Sequence, residues 1–336
     1  MEVSVEDEIR QVEMRRPHVV ILGAGASRAA FPNGERNGRQ LPLMADFTQI
    51  VLVGDVFKRI GIDPADQDFE SLYSQLTNDP NHDTVREELE SIVYSYFDSL
   101  ALPDFPTLYD HILLSLRDKD VIATFNWDPF LIQAARRNPP LRGRQPRLLF
   151  LHGNVLAGFC ERDNVHGVRR TRCSRCRRPF SPSRLLYPVA EKDYDTDPMI
   201  ADAWRALRQA LKGAFMVTVF GYSAPTSDAS AVQLLQDAWG SWRERQLEQF
   251  EIIDIRQEDK LRESWSSFIH THHYEVHSDP YDSWILNHPR RTGEAYLNQY
   301  LQAFFIVNHR VPRDVSSAEL WAWFQPLFEA EEQVSR

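Results

Sequence analysis

Six short apolar runs, each leading into glycine or polar residues, constrain this chain more than any other feature. They are His18–Leu22, Val121–Phe125, Leu148–Leu151, Phe215–Phe220, Glu251–Ile255 and His273–His277. An unbroken apolar run does not show the alternation of a half-solvated antiparallel strand. It reads as a strand covered on both faces. Helical patterns lie between the runs. FLIQAARRN follows Asp128-Pro129, a start with Asp as N-cap and Pro at the first position. Met199 to Lys212 reads as a helix closed by Gly213, and ASAVQLLQDAW follows the capping triplet Thr226-Ser227-Asp228. Buried strands alternating with helices predict an α/β fold with a Rossmann-like, doubly wound parallel sheet.

Two stretches break the alternation. Residues from about 44 to 118 carry only helical periodicity, as in TVREELESIVYSYFDSL and PTLYDHILLSLRD, and predict a helical insertion. Residues from about 156 to 184 lack periodicity, are rich in Arg, Ser and Pro, and hold the chain's three cysteines. They predict a small irregular, zinc-ribbon-like module. One α/β domain over 17–290 and a helical extension over 291–336 account for all but the first 16 of the 336 residues.

The balance of 38 basic and 48 acidic side chains, net −10, excludes a chain built to coat phosphate backbones over its whole surface. Three cysteines are too few for a secreted disulfide scaffold. The acidic start MEVSVEDEIRQVEMRRP is no signal peptide, and no run reaches spanning length, so the expected location is the cytoplasm.

In open α/β sheets, ligands sit beyond the carboxyl ends of the strands. Those ends carry Gly23-Ala24-Gly25-Ala26-Ser27, then Asn126-Trp127-Asp128, then His152-Gly153-Asn154, then Gly221-Tyr222-Ser223. A Gly-Ala-Gly turn entering a helix can bring backbone N–H groups to a pyrophosphate, or can simply be a tight turn. Arg28 stands where a dehydrogenase fingerprint has its third small residue. Asn126 can bond a ribose hydroxyl, place a water or cap a turn. His152 titrates near neutrality and can serve as a base or be structural. Asp128 reads first as a helix cap.

Taken in order, GAGAS at 23–27, FNWD at 125–128, LHG at 151–153, the cysteines, and FGYS at 220–223 resemble the sirtuin-like family. The Gly-Tyr-Ser turn followed by Pro225 and Asp228, and the long RAAFPNGERNGRQLPLMADF loop after GAGAS, are similar to its divergent bacterial branch. That resemblance implies hydrolysis of the nicotinamide–ribose bond of NAD by a gated effector of antiphage defence. It implies a homo-oligomer or a complex with a partner defence protein. Asn126 and His152 would be catalytic. Gly23, Ala24, Gly25, Ser27, Asp128, Gly221, Ser223 and Asp254 would bind NAD. The family also implies two rivals, an NAD-dependent protein deacylase and a non-catalytic subunit that binds NAD or ADP-ribose.

Sirtuins carry two cysteine pairs in a zinc module after the His-Gly. Here Cys173-Ser174-Arg175-Cys176 keeps one pair, while Cys160-Glu161-Arg162-Asp163 has Asp163 in a cysteine's place. A tetrahedral zinc needs four ligands, which Cys160, Cys173, Cys176 and either Asp163 or His166 supply. The Arg169–Arg178 stretch holds six arginines and reads either as a solvated loop or as a contact for nucleic acid or an acidic partner. His270, His272, His273 and His277 read as structural. Trp321, Trp323 and Phe324 read as core or interface residues of a last helix.

Overall fold

A computed structural model describes residues 2–188, 194–224 and 228–335. Nine of its strands organise it, and a further parallel pair, Glu2–Val3 with Phe305–Ile306, lies outside their sheets. β1 is His18–Leu22, β2 Val121–Thr124, β3 Arg147–Phe150, β4 Ala157–Cys160, β5 Val165–Val168, β6 Ser181–Pro182, β7 Met216–Phe220, β8 Gln249–Ile253 and β9 Tyr274–His277. Six of them form one parallel sheet in the order β9-β8-β7-β1-β2-β3. The chain winds outward from β1 to β3, returns, and winds outward again from β7 to β9. This is the doubly wound Rossmann order, and its switch point lies between β1 and β7.

The unbroken apolar runs have a direct physical reason. Successive side chains of a strand enter opposite faces. Val20, Leu22, Ile122, Phe220 and Ile253 join one core with the helices before β2 and the last helix. Val19, Ile21, Val121, Val219 and Ile252 join a second core with the helices Pro198–Gly213 and Ala229–Trp239. Every residue of the four central strands is buried, so their runs lack the regular polar alternation of a half-solvated strand.

Between β1 and β2 the chain is helical: Ala24–Ala30, Phe47–Ile50, Gly54–Arg59, Phe69–Thr77, Asp83–Asp98 and Leu108–Leu114. β4, β5 and β6 form a separate antiparallel sheet with β4 in the middle. The last helix, Ser317–Ser335, returns to the first core through Leu320, Phe324 and Leu327. Trp321 Nε1 donates to Asn138 Oδ1 at 2.7 Å.

Three local expectations are corrected. Asp128 is not an N-cap: the helix runs Phe130–Arg137 with Pro129 before it, and Asp128 instead receives Ser27 Oγ at 2.6 Å. Gly213 is the last residue of its helix, whose start is capped by Asp197 through the Met199 and Ile200 N–H groups. Asp228 precedes Ala229–Trp239 without a side-chain cap and accepts from Tyr222 OH at 3.1 Å. Pro225, Thr226 and Ser227 lie outside the described residues.

Candidate functional site

The switch point is closed from below by two turns that lie against each other. Gly23 N donates to Phe220 O and Gly25 N to Gly221 O, both at 2.9 Å. Gly221 has φ +61, and a Cβ there would stand 2.2 Å from Ala26 N. No larger residue fits both that conformation and that approach. The glycine-rich loop and the FGYS turn are thus one unit.

Polar side chains converge on it. Asn126 Nδ2 donates to Gly23 O and to Ser27 Oγ, each at 2.9 Å, and stands 3.4 Å from Tyr109 OH. Ser27 Oγ shares a hydrogen bond with Tyr109 OH at 2.7 Å and donates to Asp128. Asp128 is sealed from water, and burial pushes its carboxyl up to about 6. Three elements therefore meet in one buried network. The glycine loop supplies Ser27, the end of β2 supplies Asn126 and Asp128, and the helix Leu108–Leu114 supplies Tyr109.

His152 stands beside this network in an aromatic setting. Phe125 meets its ring edge-on at 4.8 Å, and Tyr194 stacks on it at 6.0 Å. Phe125 in turn stacks on Tyr222 at 4.1 Å, which ties the His152 side of the site to the FGYS turn. The following glycine is required. Gly153 has φ +78, and a Cβ would fall 1.8 Å from Arg184 O. His152 O also accepts from Leu186 N at 2.9 Å, so the segment around it is held on two sides.

The structure brings Gly23, Gly25, Ser27, Asn126, Asp128 and Gly221 together, with Ala24 on the half-exposed side of the loop and His152 adjacent. Ser223 is exposed on its turn. Asp254 lies one residue beyond β8 and is clamped by Arg256, whose Nη2 donates to Oδ2 at 2.8 Å and whose Nε reaches both oxygens at 3.1 Å. Tyr109, Tyr194 and Tyr222 escaped the sequence reading as site residues. Tyr109 looks in sequence like one more apolar position of an amphipathic helix, and only the packing of that helix under the loop reveals it.

The cysteine module forms a second candidate centre. Cys160 ends β4, and Cys173 and Cys176 lie on the loop before β6. Asp163 Oδ2 lies 3.6 Å from Cys160 Sγ and 3.1 Å from Cys173 Sγ, and Cys160 Sγ lies 3.5 Å from Cys176 Sγ. The four ligand atoms fall within 4.8 Å of one another. Hydrogen bonds from the Cys176 and Cys173 thiols hold the Asp163 carboxyl low, and that carboxylate pushes the Cys176 thiol up to about 11. Four donor groups this close together can ligate a divalent cation once the thiols give up their protons. The donor set fits tetrahedral zinc, with Asp163 as fourth ligand. His166 is turned away to Asp202 at 3.1 Å.

Two of the six arginines in this module are held in ion pairs. Arg169 and Arg170 both pair with Asp98 of the helix Asp83–Asp98, and Arg169 also covers the Tyr94 ring at 5.2 Å. Arg172, Arg175, Arg177 and Arg178 remain at the surface. No helix among the described residues is long and apolar enough to cross a membrane.

No family model and no curated protein matches the chain. Among solved structures it is similar to a Sir2 homologue in complex with NAD, at 13% identity over 87% of this chain and 90% of that one, with a TM-score of 0.39. It is similar to a serine-to-alanine mutant of a Sir2 homologue in complex with ADP-ribose, at 11% identity, 98% and 97% coverage and a TM-score of 0.40. Sir2 bound to an acetylated peptide aligns at 13% identity, with 86% and 93% coverage and a TM-score of 0.36. The fold described above rests on the chain's own strand order and register, independently of these likenesses.

Proposed function

We propose that this protein is a sirtuin-like enzyme that binds NAD at the β1–β7 switch point and hydrolyses its nicotinamide–ribose bond. The observation that carries the reading is the network joining Ser27, Asn126 and Asp128 beneath the glycine loop, with His152 beside it. A Rossmann sheet binds its ligand at this point. Breaking a glycosidic bond through an oxocarbenium-like ribose needs fixed polar groups around the sugar and a placed water.

Each residue has a physical role in this reading. Asn126 spends its amide N–H groups on the loop, which fixes the side chain and leaves its carbonyl oxygen to accept from a ribose hydroxyl or a water. His152 serves as base toward that hydroxyl or water, and the Phe125 and Tyr194 rings around it exclude bulk solvent. The half-exposed Ala24–Gly25 side of the loop faces the pyrophosphate, and Ser223 approaches from the opposite turn. Asp254 meets the adenosine ribose only if Arg256 releases it. The cysteine module with zinc would be structural. Unrestrained NAD cleavage is toxic, so the activity is gated, by self-association or by a partner defence protein. The exposed arginines Arg172, Arg175, Arg177 and Arg178 offer that partner, or a nucleic acid, a basic contact.

The test is nicotinamide release from NAD by purified protein, alone and with acetylated peptide. Peptide-independent release is expected. Asn126→Ala and His152→Ala should each lower it at least a hundredfold while the circular dichroism spectrum stays unchanged. Release that requires peptide would assign a deacylase. Tight NAD binding without turnover would assign a sensing subunit.

A further inference from the structure

The histidines at 270–277 look alike in sequence, but the structure separates one of them from the rest. His270 Nε2 bonds Gly240 O at 2.9 Å, and His273 Nδ1 bonds Tyr296 OH at 2.7 Å. His277, the last residue of β9, faces two carboxylates instead. Its Nε2 lies 3.3 Å from Glu251 Oε1 on β8 and 3.3 Å from Glu275 Oε2 on β9. Glu251 and Glu275 are register partners, and Thr218 of β7 continues the same row. Three adjacent strands thus bring these groups to one patch of one sheet face.

The patch has the anatomy of a metal site. The Nε2 atom is sealed from solvent yet makes no well-angled hydrogen bond to either oxygen. Zinc–nitrogen and zinc–oxygen bonds of roughly 2.0–2.1 Å set tetrahedral edges of about 3.3–3.4 Å, whereas an octahedron of that size has edges of about 3.0 Å. Both observed separations, 3.3 Å, match the tetrahedral edge. The three ligand atoms fall within 4.8 Å of one another.

Every carboxylate oxygen in the patch also carries an orienting donor. Trp284 N donates to Glu251 Oε1 at 2.8 Å, and Thr218 Oγ1 donates to Glu251 Oε2 at 2.5 Å. Trp284 Nε1 donates to Glu275 Oε2 at 3.0 Å, and Tyr300 OH donates to Glu275 Oε1 at 2.9 Å. Thr218 is itself held by His18 Nε2 at 2.7 Å. Such second-layer bonds fix ligating carboxylates in place.

We propose that Glu251, Glu275 and His277 hold a zinc-sized divalent cation in tetrahedral geometry, with a fourth position open to water. The fourth position falls to water because three protein ligand atoms converge there; Glu251 is fully buried, while the Glu275 and His277 side chains are 25% and 18% exposed. This centre is separate from the cysteine module, and β9 lies three strands from β1, roughly 14 Å by strand spacing. When no cation is bound, a proton takes its place. Burial pulls the imidazole down, but the two carboxylates outweigh it and push it up to about 10. A bound cation displaces that proton, since only the neutral imidazole is a ligand.

The experiment is zinc stoichiometry on the full chain, stripped with chelator, re-equilibrated with zinc ion alone, and passed through a desalting column. Wild type is expected to retain one zinc per chain more than Glu275→Gln or His277→Gln. Cys173→Ser should keep the difference between wild type and these variants. Far-UV circular dichroism checks folding. Glu275→Gln, on the edge strand, is the variant read should His277→Gln fail to fold. Equal zinc content in wild type and a folded variant overturns the proposal, whatever the cysteine module holds and whether or not the protein cleaves NAD.

Discussion

At the scale of single residues, Asp128 shows how burial converts a capping candidate into something else. Ser27 Oγ is its strongest partner, and the Phe130 N–H reaches it only at 3.3 Å. Its folded carboxyl titrates near 6, against an ordinary value of 3.8. A raised carboxyl keeps its proton in the folded chain when the unfolded chain has lost it. Stability therefore falls as pH rises from about 4 to 6, and the full deficit, on the order of 3 kcal/mol, persists above 6. Asp128→Asn removes the charge and keeps an acceptor for Ser27. It should raise stability by about 1–2 kcal/mol at pH 7.5 and leave it nearly unchanged at pH 4. Urea midpoints at the two pH values decide this, and an equal effect at both would show that charge burial is not the cause. In the proposed NAD cleavage, a pH–rate inflection near 6 should disappear in the same variant if the network positions Asn126. What was legible here was residue type and place: Asn126, His152 and the glycines could be picked out because each ends a strand. Tyr109 and Tyr222 could not, because an aromatic in an apolar pattern carries no sign of which hydroxyl it will meet.

At the scale of elements, the six strands of the parallel sheet were legible to within a residue or two because burial writes itself as an uninterrupted apolar run, whereas β4, β5 and β6 of the cysteine module carry no such run and were not. The helix termini were less so. A cap is decided by which N–H the side chain reaches, and Asp128, Asp228 and Asp197 look equivalent in sequence although only Asp197 caps. The attachment of the last helix was also hidden. Arg290 and Arg291 are buried, and both reach Glu331 of Ser317–Ser335. Arg290 Nε and Nη2 donate to the two Glu331 oxygens at 2.7 and 2.6 Å, and Arg290 Nη1 also donates to Leu114 O and Leu116 O. One carboxylate thus couples the last helix to the helix before β2. Removing it strands two buried guanidiniums, which costs about 3–5 kcal/mol when a buried pair is broken from one side. Glu331→Ala should therefore lower the urea-derived stability by that amount, whereas Glu332→Ala, exposed on the same helix, should change it by less than about 1 kcal/mol. Similar losses in both variants would show that the helix is held by its apolar face alone.

At the scale of the whole molecule, the sequence's net charge of −10 says little about acid stability, because groups whose values the fold shifts decide it, His277 upward and three other histidines downward. Burial pulls His18, His111 and His309 down to about 4 each, from 6.5. His18 is held between Thr218 and Thr292 at 2.7 and 3.0 Å, and His111 Nδ1 bonds Tyr281 OH at 2.6 Å. A histidine whose folded value is depressed binds its proton only on unfolding, so its share of stability is present above 6.5 and is lost as pH falls toward 4. Three such groups draw up to three protons into the unfolded chain, and Asp128 offsets about one of them between pH 6 and 4. The net uptake on unfolding near pH 5 should therefore be about two protons. Chemical denaturation of chelator-treated protein at pH 7, 6 and 5 measures this as the slope of unfolding free energy against pH. His18→Gln keeps hydrogen-bonding capacity between the two threonines and should reduce the uptake by about one proton. A stability that stays flat from pH 7 to 5, or a slope that His18→Gln leaves untouched, would show that these histidines are charged in the folded chain and that the polar seams between the sheet and its covering helices admit water.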